Sequence, residues 1–203
     1  MTITPTLPII AAYTTGRGSH PETAIKVAKG SDWTRNFRVF DGARIALSAD
    51  AATGATSLTL APDHPAIATG DKIQFGENII VTTSGASAVG ATSLSVTALT
   101  GPLKAKAIGR RIVKDLSTYD LEFRVMTNRG DSTAVLEIQG TSDDDTSDPN
   151  SPYVDVGLVT GDEANFTSVD AGTYFWALWD ATESSEKPLA QGPFILEEAG
   201  YVA

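Results

Sequence analysis

The sequence has no cysteine among its 203 residues and only two histidines. Without cysteine the chain can form neither disulfide bonds nor thiolate metal sites, so its stability must come from packing or from oligomerisation. His20 and His64 have no neighbouring ligand at a metal-binding spacing, and no nucleophile or phosphate-binding motif occurs in the chain. The sequence therefore predicts a non-enzymatic protein with no catalytic residue, no cofactor and no metal site.

Long apolar runs and helical periodicity are also missing. No stretch approaches the roughly 20 apolar residues that cross a bilayer, and the N-terminus lacks a basic segment and is interrupted by Pro5 and Pro8. We therefore expect neither a membrane partner nor a signal peptide. Short strands separated by turns, in a chain that is 41% hydrophobic, predict an all-β fold built as an antiparallel β-sandwich.

Basic residues are almost absent from the C-terminal third of the chain. Residues 131–203 carry Lys187 against 15 acidic residues, whereas residues 1–130 carry 14 basic and 10 acidic residues. Such a net acidic chain lacks the basic face that neutralises phosphates, so we expect no nucleic-acid partner. The acidic third forms a solvated surface, or it attracts the more basic part of another copy in an assembly.

The strongest positive feature is a cluster of four aromatic residues within six positions of segment 171–180. Alternate side chains would point to opposite faces, with Tyr174, Trp176 and Leu178 on one and Phe175, Ala177 and Trp179 on the other. This pattern predicts a strand buried on both faces at the centre of the core. The alternative for Trp33, Trp176 and Trp179 is an aromatic platform that stacks on sugars or nucleobases.

Composition divides the chain into three parts. Residues 1–22, rich in Thr, Pro and Gly, predict an extended N-terminal arm. Residues 43–113 are rich in Ala, Thr, Ser and Gly and contain a repeat, because GATSLTL at 54–60 recurs 36 positions later as GATSLSV at 90–96. A second strand of each repeat is predicted to begin at Gly70 and Gly109, 39 positions apart. We predict an inserted small β domain with a two-fold internal repeat at 43–113, and a β-sandwich domain formed by 23–42 and 114–203.

Two hairpins and one acidic loop complete the pattern. Segments 23–29 and 33–40 are predicted to pair as a hairpin, and so are segments 120–126 and 134–139. The loop at 141–152 contains four aspartates, which are Asp143, Asp144, Asp145 and Asp148. We interpret it as a solvated loop. Binding of a hard cation such as Ca²⁺ is the alternative, although the glycine and glutamate spacing of an EF-hand is missing.

Three segments resemble the N-terminal domain of phage baseplate upper proteins (BppU-like). They are DLSTY at 115–119 before an alternating strand, AGTYFWALW at 171–179 and LAQGPFIL at 189–196. The segments occur in an order similar to that in the family, and the resemblance covers about residues 23–41 and 114–198. The 43–113 segment is similar to the Ala/Thr/Gly-rich repeats of phage virion proteins. The resemblance implies an Ig-like, BppU-like β-sandwich that assembles with other proteins and catalyses no reaction.

The resemblance also implies a function. We expect a structural protein of a tailed-bacteriophage virion that works as a homotrimer and is assembled in the bacterial host cytoplasm. Because no fibre or receptor-binding part follows residue 203, we expect a capsid-exterior decoration (cement) protein that contacts the major capsid protein. The alternatives are a baseplate or tail-fibre adaptor that contacts baseplate or tail proteins, and a carbohydrate-binding adhesion module.

Overall fold

The computed structural model describes residues 10–13, 24–29, 33–76, 79–143, 152–158, 169–182 and 188–198. Within these ranges every regular element is a β-strand and no helix occurs. The strands are β1 (Ile10–Tyr13), β2 (Ile25–Ala28), β3 (Trp33–Ala46), β4 (Ser57–Thr59), β5 (Lys72–Phe75), β6 (Ile79–Thr82), β7 (Ser93–Ser95), β8 (Ile108–Ile112), β9 (Leu121–Met126), β10 (Leu136–Gln139), β11 (Thr141–Asp143), β12 (Tyr153–Leu158), β13 (Gly172–Asp180) and β14 (Ala190–Glu197). The prediction of an all-β chain with antiparallel sheets is confirmed.

The described residues form two compact units. Unit 2 is Phe40–Lys114, and unit 1 contains the described residues on either side of it. Strand β3 takes part in both, because its residues 33–39 belong to unit 1 and its residues 40–46 to unit 2. The strand is irregular just after this division, with a register shift between Phe40 and Arg44 and a glycine at φ 79° (Gly42).

In unit 1 a five-stranded sheet has the order β10-β9-β13-β14-β2. A second set of strands has the order β11-β12-β3, and β1 also pairs with β3. Strand β13 is therefore the middle strand of its sheet, as its aromatic pattern predicts, and it pairs antiparallel with both neighbours.

Aromatic side chains fill the core of unit 1. The cluster consists of Trp33, Phe37, Phe123, Trp176 and Phe194, each at most 5% exposed. The rings come from both sets of strands, and their contacting centroids lie 5.2 to 6.4 Å apart. Trp176 stacks on Phe123 at 5.6 Å with an interplanar angle of 18°. At about 25 cal/mol per Å², each buried ring contributes roughly 4–6 kcal/mol before entropy is subtracted.

One expectation about the N-terminal strands is wrong. Strands β2 and β3 do not form a hairpin, because β2 pairs parallel with β14 while β3 pairs with β12. The two strands therefore belong to different sheets. Within the predicted arm, Ile10–Tyr13 forms β1, which pairs with β3 of the same chain; the rest of residues 1–22 lies outside the described part. The hairpin predicted for 120–126 and 134–139 is confirmed by β9 and β10.

Unit 2 is built from two repeats related by a 36-residue offset, the first at 43–76 and the second at 79–112. Pairs of counterparts lie opposite each other where the repeats meet, as in Leu58 with Leu94 and Gln74 with Arg110. Most other backbone hydrogen bonds between the repeats also occur as symmetric pairs. Leu60 N donates to Thr92 O, and Val96 N donates to Thr56 O. The two repeats are thus related by a pseudo-two-fold axis through both strand pairs.

A turn recurs four times in unit 2 and extends this symmetry beyond the repeat seen in the sequence. The N–H to C=O bonds close turns at 52–55, 68–71, 88–91 and 104–107. The third residue of each has positive φ, as a type II turn requires, and these residues are Gly54, Gly70, Gly90 and Lys106. The counterpart of Gly70 is therefore Lys106. The equivalence of Gly70 and Gly109 drawn from the sequence is wrong.

Gly109 instead lies within β8, where it makes room for side chains of the other repeat. A Cβ atom at this position would lie 2.6 Å from Ile73 Cγ2 and from Phe75 Cζ. The counterpart of Gly109 is Ile73. The two-fold core is thus filled asymmetrically, with large residues in one repeat facing a glycine in the other.

We predict that Gly109→Ala lowers the free energy of unfolding by about 1–3 kcal/mol, because the new methyl group overlaps Ile73 and Phe75. Urea unfolding measures the effect. Adding Phe75→Leu should recover part of the loss. Gly85→Ala is the matched control, because its Cβ would meet Ser95 Cβ at an ordinary 3.4 Å. An equal loss in both single variants would contradict the packing explanation.

We also predict that Lys106→Gly raises the free energy of unfolding by up to about 1 kcal/mol. A lysine held at φ 70° destabilises the folded state by about 1–2 kcal/mol, and glycine removes this strain. Glycine also loses more backbone entropy on folding, which offsets part of the stabilisation. Gly70→Ala should have the opposite effect at the counterpart position, where φ is 82°. Both changes are measured by urea unfolding. A stability loss in Lys106→Gly would show that the lysine side chain contributes more than its backbone conformation costs.

Candidate interaction surface

The described residues contain no group of three or more histidine, aspartate or glutamate side chains arranged to hold a metal ion. The same part of the chain has no helix of the length and apolarity that a membrane span requires. Asp143 ends β11, and Asp144, Asp145 and Asp148 lie outside the described residues, so the cation alternative for this loop stays untested. His20 also lies outside them.

His64 is buried and connects the two repeats of unit 2. Its Nδ1 lies 2.7 Å from the carbonyl oxygen of Pro65, and its Nε2 lies 2.7 Å from that of Ala91 in the second repeat. The side chain is 4% exposed. Each ring nitrogen thus lies next to a backbone carbonyl oxygen, and the side chain connects a loop of the first repeat with a turn of the second.

The partly buried charges of unit 2 also have structural partners. Arg111 Nε donates to Asp41 Oδ2 at 2.5 Å, and its Nη1 donates to the carbonyl of Ala66 and reaches Asp71. Burial opposes the charged guanidinium. The hydrogen bond and charge of Asp41, with the charge of Asp71, outweigh this effect and raise the pKa of Arg111 above its ordinary value.

The segments that carry the family resemblance are held together in unit 1. Asp115 accepts hydrogen bonds from the hydroxyl and N–H groups of Ser117, which lower its pKa, and the adjacent Leu116 is buried. Buried Asp180, at the end of β13, accepts a hydrogen bond from the N–H of Asp120, which immediately precedes β9. The segments at 115–126, 171–180 and 189–197 therefore lead into or form three neighbouring strands, β9, β13 and β14.

The other face of β13 points away from the aromatic core. It carries Phe175, Ala177 and Trp179. Strand pairing places Met126 and Pro193 opposite Phe175, Arg124 and Gln191 opposite Ala177, and Glu122 opposite Trp179. We call these residues the outer aromatic face. Phe175 and Trp179 are half-buried on it, so the prediction that β13 is buried on both faces is wrong for these two residues.

Polar groups lie next to the aromatic rings on this face. Arg124 pairs with Glu122 on its own strand and lies 3.2 Å from Glu137 on β10. The guanidinium of Arg129 lies 5.4 Å from the centroid of the Phe175 ring. The surface combines apolar rings with hydrogen-bonding groups, the composition found at protein-binding hot spots and at sugar-binding surfaces.

The structure separates the three tryptophans into two environments. Trp33 and Trp176 belong to the core, where they are 5% and 0% exposed. A stacking role for these two is therefore wrong, because their rings are covered by neighbouring aromatic side chains. Trp179 remains partly exposed, while its indole N–H is buried and has no acceptor within the described residues. The indole therefore presents ring carbon to solvent rather than its N–H group.

Comparisons with protein-family models, with curated proteins and with solved structures found no match for this chain.

We predict different results for two tryptophans only three positions apart. Trp176→Ala should lower the free energy of unfolding by about 3–5 kcal/mol, because it removes a fully buried ring. Trp179→Ala should cost less than half as much, because its ring is partly solvated already. Urea unfolding followed by circular dichroism measures both. Equal losses would place Trp179 in the core as well.

Proposed function

We propose that the protein is a non-enzymatic structural component of a tailed-bacteriophage virion, with unit 1 as an Ig-like, BppU-like β-sandwich. The observation that carries the proposal is the placement of the three family-like segments. The first segment, at 115–119, lies far from the other two in the sequence, yet all three lead into or form the neighbouring strands β9, β13 and β14. In addition, β3 supplies Trp33 and Phe37 to the core that these strands help to form.

The proposal assigns the protein a mechanical role that depends on interfaces. The ionisable groups at Arg111, Asp115 and Asp180 are occupied by local hydrogen bonds, which suits a rigid building block. Cementing requires contacts with neighbouring subunits that bury more than about 1,000 Å² in total. We propose a homotrimer on the capsid exterior that contacts the major capsid protein, with a baseplate or tail-fibre adaptor as the alternative position.

A second candidate function is carbohydrate binding at the outer aromatic face. The observation that favours it is the position of Trp179 and Phe175 on the outward side of β13, with Glu122, Arg124 and Gln191 beside them. Aromatic rings stack on sugar faces, while charged and amide groups bind hydroxyls. Saturable binding on a glycan array that Trp179→Ala removes, with the fold retained, would favour this function.

Antibody-gold labelling of intact phage particles tests the leading proposal, using antibody raised against the full chain. We expect label on the heads, distributed over the capsid surface. Antibody absorbed beforehand with the purified protein is the control and should give no label. Label confined to tails would favour the adaptor, and particles free of label would reject both virion positions.

A further inference from the structure

Strand β6 lies at the edge of the sheet in unit 2, where the strand order is β3-β8-β5-β6. It pairs with β5 on one side. On the other side, Thr97 N donates to the carbonyl of Thr82, so the adjacent segment covers only the C-terminal end of the strand. The part that carries a free edge is centred on Ile80.

The hydrogen bonds fix the direction of the Ile80 backbone. Thr83 N donates to Asp71 O, so Thr83 and Asp71 form a hydrogen-bonded pair. Such pairs alternate with non-hydrogen-bonded pairs along an antiparallel ladder. Ile80, opposite Gln74, therefore occupies a non-hydrogen-bonded position, and its N–H and C=O point away from β5. Neither group has a partner within the described residues.

The exposed part of this edge has neither a charged residue nor a proline, two features that protect many edge strands from pairing. Strands β2, β10 and β11 also lie at sheet edges, and each contains a charged residue: Lys26, Glu137 and Asp143. Strand β6 reads Ile-Ile-Val-Thr, without charge or proline. The counterpart of Ile80 in the first repeat is Arg44. An uncharged edge of β-branched residues is a template for pairing with another strand.

We propose that β6 pairs antiparallel with β6 of a second copy of this chain, about a two-fold axis at Ile80. In this arrangement Ile80 N–H donates to the partner's Ile80 C=O, and the reverse bond forms by symmetry. The unit already associates internally in this way, because Gln74 pairs antiparallel with its counterpart Arg110, and Leu58 with Leu94. The isoleucine side chains form an apolar cross-strand pair.

The contact is small, so association through it is weak. One strand pair buries much less than the area of a stable interface, and we expect a dissociation constant between about 0.1 and 1 mM. Within a particle many copies are held close together, which makes a weak contact effective. The inference concerns self-association in solution and does not depend on the virion assignment.

Sedimentation equilibrium of the full chain, from about 10 µM to about 1 mM, tests the proposal. Two variants act on the edge. Ile80→Pro removes the outward N–H without removing a bond to β5, and Ile80→Arg introduces the counterpart's charge. Ile108→Lys is the matched control, because Ile108 is 39% exposed on the interior strand β8 and its counterpart is Lys72.

We expect the mass of the native chain to rise with concentration. Each Ile80 variant should lower the association constant at least about tenfold, while Ile108→Lys leaves it unchanged. Thermal unfolding checks that every variant is folded, and Ile80→Arg remains informative if proline perturbs the strand. Amide exchange at Ile80 should slow as concentration rises. No concentration dependence, or an equal loss in Ile108→Lys, would overturn the proposal.

Discussion

Contact among the five aromatic rings of unit 1 is the interaction on which the rest of the chain depends. Trp176 has no solvent exposure and packs against Phe37 and Phe123, which come from different strands. Because β3 supplies Phe37 and then continues into unit 2, the same strand serves two hydrophobic cores. Loss of the aromatic contacts would therefore remove the packing that holds the first half of this strand in unit 1.

The core of unit 2 differs from that of unit 1 because it forms between two repeats of related sequence. A two-fold pairing brings counterparts together, and identical large residues at close positions would compete for the same space. Gly109 resolves this competition by leaving room for Ile73 and Phe75. The contacts of His64 and Arg111 occur in one repeat only, because the counterparts of these residues in the other repeat are Thr100 and Phe75. The halves differ in sequence where close packing requires it, and they share most of their backbone hydrogen bonds.

The sequence allowed a good prediction of strands whose signals are local. The aromatic alternation identified β13, and the spacing of apolar residues identified the β9–β10 hairpin. The parallel pairing of Ile25 with Phe194 left no such signal, because its partners lie near opposite ends of the chain. The fourth turn of unit 2 was not predicted, because glycine is the residue that indicates positive φ and this turn has Lys106 in that position. The outer aromatic face could not be recognised either, because alternation shows that Trp176 and Trp179 face apart but not which face is covered.

The place where the chain enters and leaves unit 2 has an evolutionary consequence. Phe40, the first residue of the unit, lies opposite Ile112 in an antiparallel pair, about 5 Å from a residue only two positions before the last one, Lys114. A segment whose ends nearly coincide can be gained by a host strand without stretching the connections on either side. Close ends of this kind make unit 2 suited to being gained or lost as one folded segment.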